Sequence, residues 1–146
     1  MRLFNHVKFD SETEVVTLGA GSLWGEVEHE LEKLAKGYAG KQINLAFIMP
    51  QNTLSTNTIE VPCARIPYLG VAGSILHGGF SWLSHEYGLI SDPQNLLDAQ
   101  IVLRDGRVLW TAEEEPELLW ALRGGGGNFG GLSSLPFLKR LFGILI

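Results

Sequence analysis

The chain has 146 residues, 45% of them hydrophobic, enough for one domain with a core. A net charge of −5 without a basic stripe argues against a nucleic-acid surface, and the single cysteine, Cys63, rules out an internal disulfide. Only 18% of residues are charged, against a usual ~25%, while glycine reaches 18 residues, so part of the surface is expected to be covered by a ligand, a partner or further chain.

The opening MRLFNHVKFD lacks the apolar run of a signal peptide, so nothing in it assigns a compartment. Residues 14–18 (EVVTL) read as a strand, because β-branched residues lie side by side before a glycine. Gly19-Ala20-Gly21 is a turn, and Ser22 is placed to cap the helix that follows. That helix spans about residues 23–36, with Val27, Leu31, Leu34 and Ala35 on one face and Gly37 as its stop. Residues 41–63 have no clean period and mix Asn, Gln and Thr between two well-marked segments. A structureless loop beyond ~12–15 residues is uncommon in a compact domain.

Residues 101–103 and 108–110 read as strands around Arg104-Asp105-Gly106-Arg107, since Asp-Gly tolerates the positive φ of a tight hairpin. PELLWAL at 116–122 is a short helix opened by proline. Residues 124–131 form a second glycine-rich loop. The tail, residues 131–146, does not alternate and is expected to be poorly ordered or to dock loosely by its leucines. It is also broken by Lys139 and Arg140 and falls short of the ~20 apolar residues of a membrane span. Short strands and helices without a βαβ rhythm predict an α+β fold.

Several motifs begin and do not finish. Gly19-Ala20-Gly21-Ser22-Leu23-Trp24 follows a strand and opens a helix, as a dinucleotide fingerprint does. Trp24, however, stands where the third glycine must let helix and strand pack closely, and no acidic residue follows about twenty positions on. A plain strand-to-helix turn is the better reading. Gly79-Phe80-Ser81-Trp82-Leu83 starts like a nucleophile elbow, but Leu83 replaces the last glycine, which leaves Ser81 a local hydrogen-bonding role. His85-Glu86 starts like a zinc-binding H-E-x-x-H, but Leu89 ends the match and no ligand set completes with His77. No metal is expected. Gly70-Val71-Ala72-Gly73-Ser74 is different. Its small residues bare successive amides that hold an anion without a lysine, and Phe80, Trp82 and Tyr87 offer flat faces nearby. On composition alone an anion cradle and a buried turn packed by aromatics stand equal.

Taken in order, VVTLGAGSLWGEVEHEL, YLGVAGSILHGGFSWLSHEYGLISD, LLDAQIVLRDGRVLW and PELLWALRGGGGNFG resemble the FAD-binding domain of the vanillyl-alcohol-oxidase type. They are most similar to the branch of berberine-bridge-like and oligosaccharide-oxidase-like enzymes. The resemblance covers roughly residues 14–40 and 64–130 and implies the second subdomain of a PCMH-type FAD-binding domain. It implies that Gly70, Val71, Ala72, Gly73 and Ser74 run past the FAD pyrophosphate and flavin, although Ala72 stands where glycine is commoner. It places Gly79, Tyr87, Gly88 and Asp92 close to the cofactor, and Arg123 to Gly130, with Asn128, along the flavin region. A parent protein of this kind oxidises an alcohol, sugar or secondary metabolite by hydride transfer to FAD, which oxygen then reoxidises.

The family's first FAD subdomain and its substrate domain, with the catalytic base, fall outside this sequence, so no residue here is assigned as catalytic. None of His6, His29, His77 and His85 matches the family's flavin-linked histidine. Ile66 stands where some members carry a flavin-linked cysteine, so Cys63 does not inherit that role. The resemblance therefore implies a partial domain that binds FAD weakly or not at all by itself and turns nothing over. The competing expectation is a truncated, non-catalytic module that binds a partner through exposed apolar surface. Relatives pass directly from a segment like GYA-G to one like ARIPYLGV, so residues 41–63 are expected to be an insertion or a retained intron of a fungal gene.

Overall fold

The computed structural model describes residues 3–10, 12–13, 15–36, 42–45, 58–138 and 140–141, without side chains for residues 34–36, 42–45, 58–61, 136–138 and 140–141. Its larger sheet has five antiparallel strands. They are β1 (Val7–Asp10), β2 (Val15–Gly19), β5 (Gln100–Val102), β6 (Val108–Trp110) and β7 (Gly131–Leu138), in the spatial order β1-β2-β7-β5-β6. A second sheet pairs β3 (Gln42–Leu45) in parallel with β4 (Thr58–Val61), and β4 antiparallel with β8 (Arg140–Leu141). The helices are α1 (Trp24–Lys36), α2 (Val71–Leu76), α3 (Ser84–Tyr87), α4 (Thr111–Glu114) and α5 (Pro116–Leu122). The fold is α+β, as the element pattern predicts.

The core lies between the five-stranded sheet and the helices. Leu18 and Ile101 from the sheet, Val27 and Leu31 from α1, Ile75 from α2 and Leu122 from α5 are all buried to about 1% exposure or less. Each such side chain contributes roughly 1.5–3 kcal/mol of burial. Val27 and Leu31 lie one turn apart on the inward face of α1, as the helical period requires. Leu34 and Ala35, assigned to the same face, lie outside the described side chains. In the hairpin, Gly106 sits at φ +86 and Asp105 Oδ1 accepts from Arg107 N, which explains why Asp-Gly is read there.

Two expectations are corrected. Residues 131–138 are not a loose tail; they form β7, the middle strand, paired with β2 through Leu18↔Leu135 and with β5 through Ile101↔Leu132. A strand covered on both faces loses its alternation: Leu132, Ser133, Ser134 and Leu135 are all buried. The serines remain satisfied because Ser133 Oγ donates to Gln100 Oε1 and Ser134 Oγ bonds His6 Nε2. Residues 139 and 142–146 of the tail lie outside the described residues. Ser22, secondly, does not cap α1. Its hydroxyl is buried without a partner among the described residues, and the Glu26 carboxylate accepts from Leu23 N instead. In the 41–63 block, β3 and β4 supply regular structure and Cys63 is fully buried in the core; residues 41 and 46–57 lie outside the described residues.

Candidate functional site

Two glycine-bearing turns meet at the start of α1. In the first, every amide has an acceptor within the protein. Gly19 N donates to His6 O, Ala20 N to Ser133 O, Gly21 N to Phe4 O and Ser22 N to Gly19 O. The first turn of α1 continues the pattern, with Trp24 N on Leu69 O and Gly25 N on Pro67 O. A Cβ on Gly19 would overlap the Phe4 carbonyl. Here glycine serves close packing, and no donor is left over for a nucleotide.

The second turn, residues 70–74, is built the other way. Val71 N donates to Ser22 O at 2.9 Å and Ser74 N to Gly70 O at 3.1 Å. The amides of Gly70, Ala72 and Gly73 meet no acceptor among the described residues. Gly70 has φ −69 and ψ 136, an ordinary extended conformation. A Cβ at Gly70 or Gly73 would meet nothing within 4 Å. Neither backbone strain nor internal packing therefore requires glycine at these two positions. Ser74 Oγ donates to Gly70 O at 2.8 Å and accepts from the indole of Trp24 at 3.1 Å. Val71, assigned to the site from sequence, is a core residue with 0% exposure and an occupied amide.

The remaining site residues lie on segments tied to α2 by backbone and side-chain hydrogen bonds. The chain leaves α2 through Gly78 and Gly79, both at positive φ, and these residues pair with the next segment through Ser91 N to Gly78 O and Ile90 N to Gly79 O. A Cβ on Gly79 would stand 2.9 Å from Ile90 Cβ. Gly88, at φ +77, leaves room for the Asp92 carboxylate, which accepts from Leu89 N at 2.8 Å. Gly79 and Gly88 are thus explained by the fold, unlike Gly70 and Gly73. Tyr87 is half-buried, and its carbonyl accepts from Asn95 Nδ2 at 2.9 Å. The second glycine loop reaches the same place: Gly126 N donates to Leu76 O at 2.8 Å, and Asn128 is exposed beside it.

Sequence reasoning missed the residues that hold these segments together. Asn95 is fully buried, and Nδ2 also donates to Leu89 O at 2.7 Å. Arg123 donates from Nη2 to Leu96 O, tying the 123–130 loop to the 87–96 segment. Burial pulls the Arg123 guanidinium below its ordinary pKa, against the opposing pull of the Asp92 and Asp98 carboxylates. Neither role has a sequence signal: the Asn95 bonds reach back six and eight residues within an irregular segment, and the Arg123 bond spans 27 residues. Arg65 lies over the Phe80 and Trp82 rings, 5.3 and 5.4 Å from their centroids. Ser81 is buried, and its Oγ accepts from Leu83 N, the local role read from sequence. Among the described residues no three His, Cys, Asp or Glu groups gather as metal ligands, and no helix is long and apolar enough to cross a membrane.

No protein-family model matches the chain. It is 34% identical over 137 residues, 93% of its length, to a xylooligosaccharide oxidase of Thermothelomyces thermophilus. It is 35% identical over 125 residues, 85% of its length, to the FAD-dependent monooxygenase FUP4 of Fusarium proliferatum. These matches span 22% and 19% of the two relatives, so the chain corresponds to about a fifth of each. Among solved structures, berberine bridge enzyme from Eschscholzia californica superposes with a TM-score of 0.72 at 25% identity, covering 94% of this chain and 23% of that one.

Proposed function

Because the chain belongs to the berberine-bridge-like branch of the vanillyl-alcohol-oxidase family, we propose that its 70–74 turn forms one wall of an FAD site in a larger oxidoreductase. The observation that carries this is the pair of glycines the fold does not explain. At Gly70 and Gly73 the chain could accommodate a side chain and has none, and three amides there lack an acceptor among the described residues. Bared amides of this kind suit a diphosphate. Gly79, Tyr87, Gly88, Asp92 and Asn128 then act as the frame around that turn, with Asn95 and Arg123 behind them.

FAD supplies the redox chemistry when bound, and the protein binds, orients and shields it. The substrate of the parent is a small molecule, in line with the sugar- and alkaloid-directed names of the relatives. Of the two outcomes expected of the chain by itself, weak FAD binding or none, we commit to weak binding, with no turnover. The test is a titration of the isotope-labelled chain with FAD, followed by amide NMR shifts. The largest movements are expected at Gly70, Ala72 and Gly73. A spectrum unchanged at millimolar FAD sinks the proposal.

The exposed aromatic patch supports a second reading. Phe80 is 58% and Trp82 45% exposed, both rings stacked with Arg65, a surface that suits a covering protein partner. Self-association of the chain that FAD leaves unchanged would favour this reading. Residues 41–63 are further proposed to be an insertion relative to the family, arising from a retained intron. A mature message that keeps the block as its main form would refute that origin.

A further inference from the structure

We propose that Trp24 is a positioning residue for the 70–74 turn, acting through the Ser74 hydroxyl. The inference rests on reading that turn as an FAD wall. Trp24 has 0% exposure, and its indole nitrogen lies 3.1 Å from Ser74 Oγ. An indole N–H only donates, so Ser74 Oγ must accept from it. The single hydroxyl hydrogen then goes to Gly70 O, 2.8 Å away. Gly70 O also accepts Ser74 N at 3.1 Å, so both of its lone pairs are occupied.

The direction of this chain of bonds has a consequence for the ligand. Ser74 cannot offer its hydrogen to an incoming anion without releasing Gly70 O. The turn therefore presents backbone donors alone, and Trp24 fixes the peptide that aims them. The backbone around Trp24 supports the same arrangement. Trp24 N bonds Leu69 O, and Val71 N returns to Ser22 O. The large residue that breaks the dinucleotide fingerprint thus braces the neighbouring turn.

The test uses the whole chain, FAD as the probe, and the variants Trp24→Phe, Ser74→Ala and the double substitution. Trp24→Phe keeps an aromatic ring and removes the N–H. Ser74→Ala removes the relay at a half-buried site and protects the test if the tryptophan variant folds poorly. Each single variant is expected to weaken FAD binding about five-fold, the scale of one net hydrogen bond. The double variant should bind no more weakly than the weaker single, because one relay is broken in all three. In the unliganded Trp24→Phe chain, amide exchange at Val71 and Ser74 should speed up while that at Ile101 does not. Wild-type affinity in Trp24→Phe, or a double variant about 25-fold weaker, overturns the relay while leaving the FAD wall standing. A wild-type chain that gives no amide shifts with FAD overturns the wall, and this inference with it.

Discussion

The turns at 19–22 and 70–74 are both glycine-bearing, both open a helix, and touch each other at the Leu23↔Gly70 bridge. They use glycine for opposite ends. At Gly19 the missing side chain makes room for the Phe4 backbone, and every amide of the turn is spent inside the protein. At Gly70 and Gly73 the missing side chains open onto unfilled space beside amides that meet no acceptor among the described residues. Glycine content therefore does not mark a ligand site. The informative glycine is one that neither dihedral angle nor packing demands.

The sharpest way to break this contrast is to add a methyl group to each turn. Gly19→Ala forces Cβ against a backbone carbonyl that cannot swing away, and is expected to cost about 3 kcal/mol of unfolding free energy. Urea unfolding measures it, and a loss under about 1 kcal/mol would contradict the close approach. Gly73→Ala should do the reverse, leaving stability unchanged or raising it by about 0.5–1 kcal/mol, since alanine suits a helix better. The same variant should abolish the FAD-induced amide shifts, and unaltered shifts would move the ligand elsewhere.

The smallest effect belongs to the hairpin turn, where positive φ alone explains Gly106. The Arg107 side chain and amide hold the exposed Asp105 carboxyl below the usual carboxylate range. A depressed folded value gives a contribution that is present above the unfolded pKa and lost as pH falls through the folded one. Asp105→Asn should therefore be slightly less stable than wild type at pH 7 and match it in strong acid. Equal stability at both would show that solvent screens the pair completely.

What the sequence reveals follows from how local each cause is. Residues 116–122 form α5 as predicted, because proline at the start and the spacing of Leu119 and Leu122 suffice. β2 and β5 shift by a single residue from their predicted spans, while β6 keeps its predicted span. β7 is illegible because its partner strands come from both halves of the chain and Leu132 to Leu135 are buried on both faces, so the period that would betray a strand is absent. The 70–74 turn stands out by composition, yet only space around it separates a cradle from a packed bend. Asn95 and Arg123 are undetectable in advance, since the carbonyls they hold acquire their positions only on folding.

Placing residues 131–138 at the middle of the sheet sets the timing of assembly. On the ribosome, β2 and β5 emerge long before the strand that joins them. Until then each carries an unpaired row of peptide groups. The sheet is thus completed only by contacts between distant parts of the chain, the kind that form slowly and leave nascent protein open to chaperones and to aggregation.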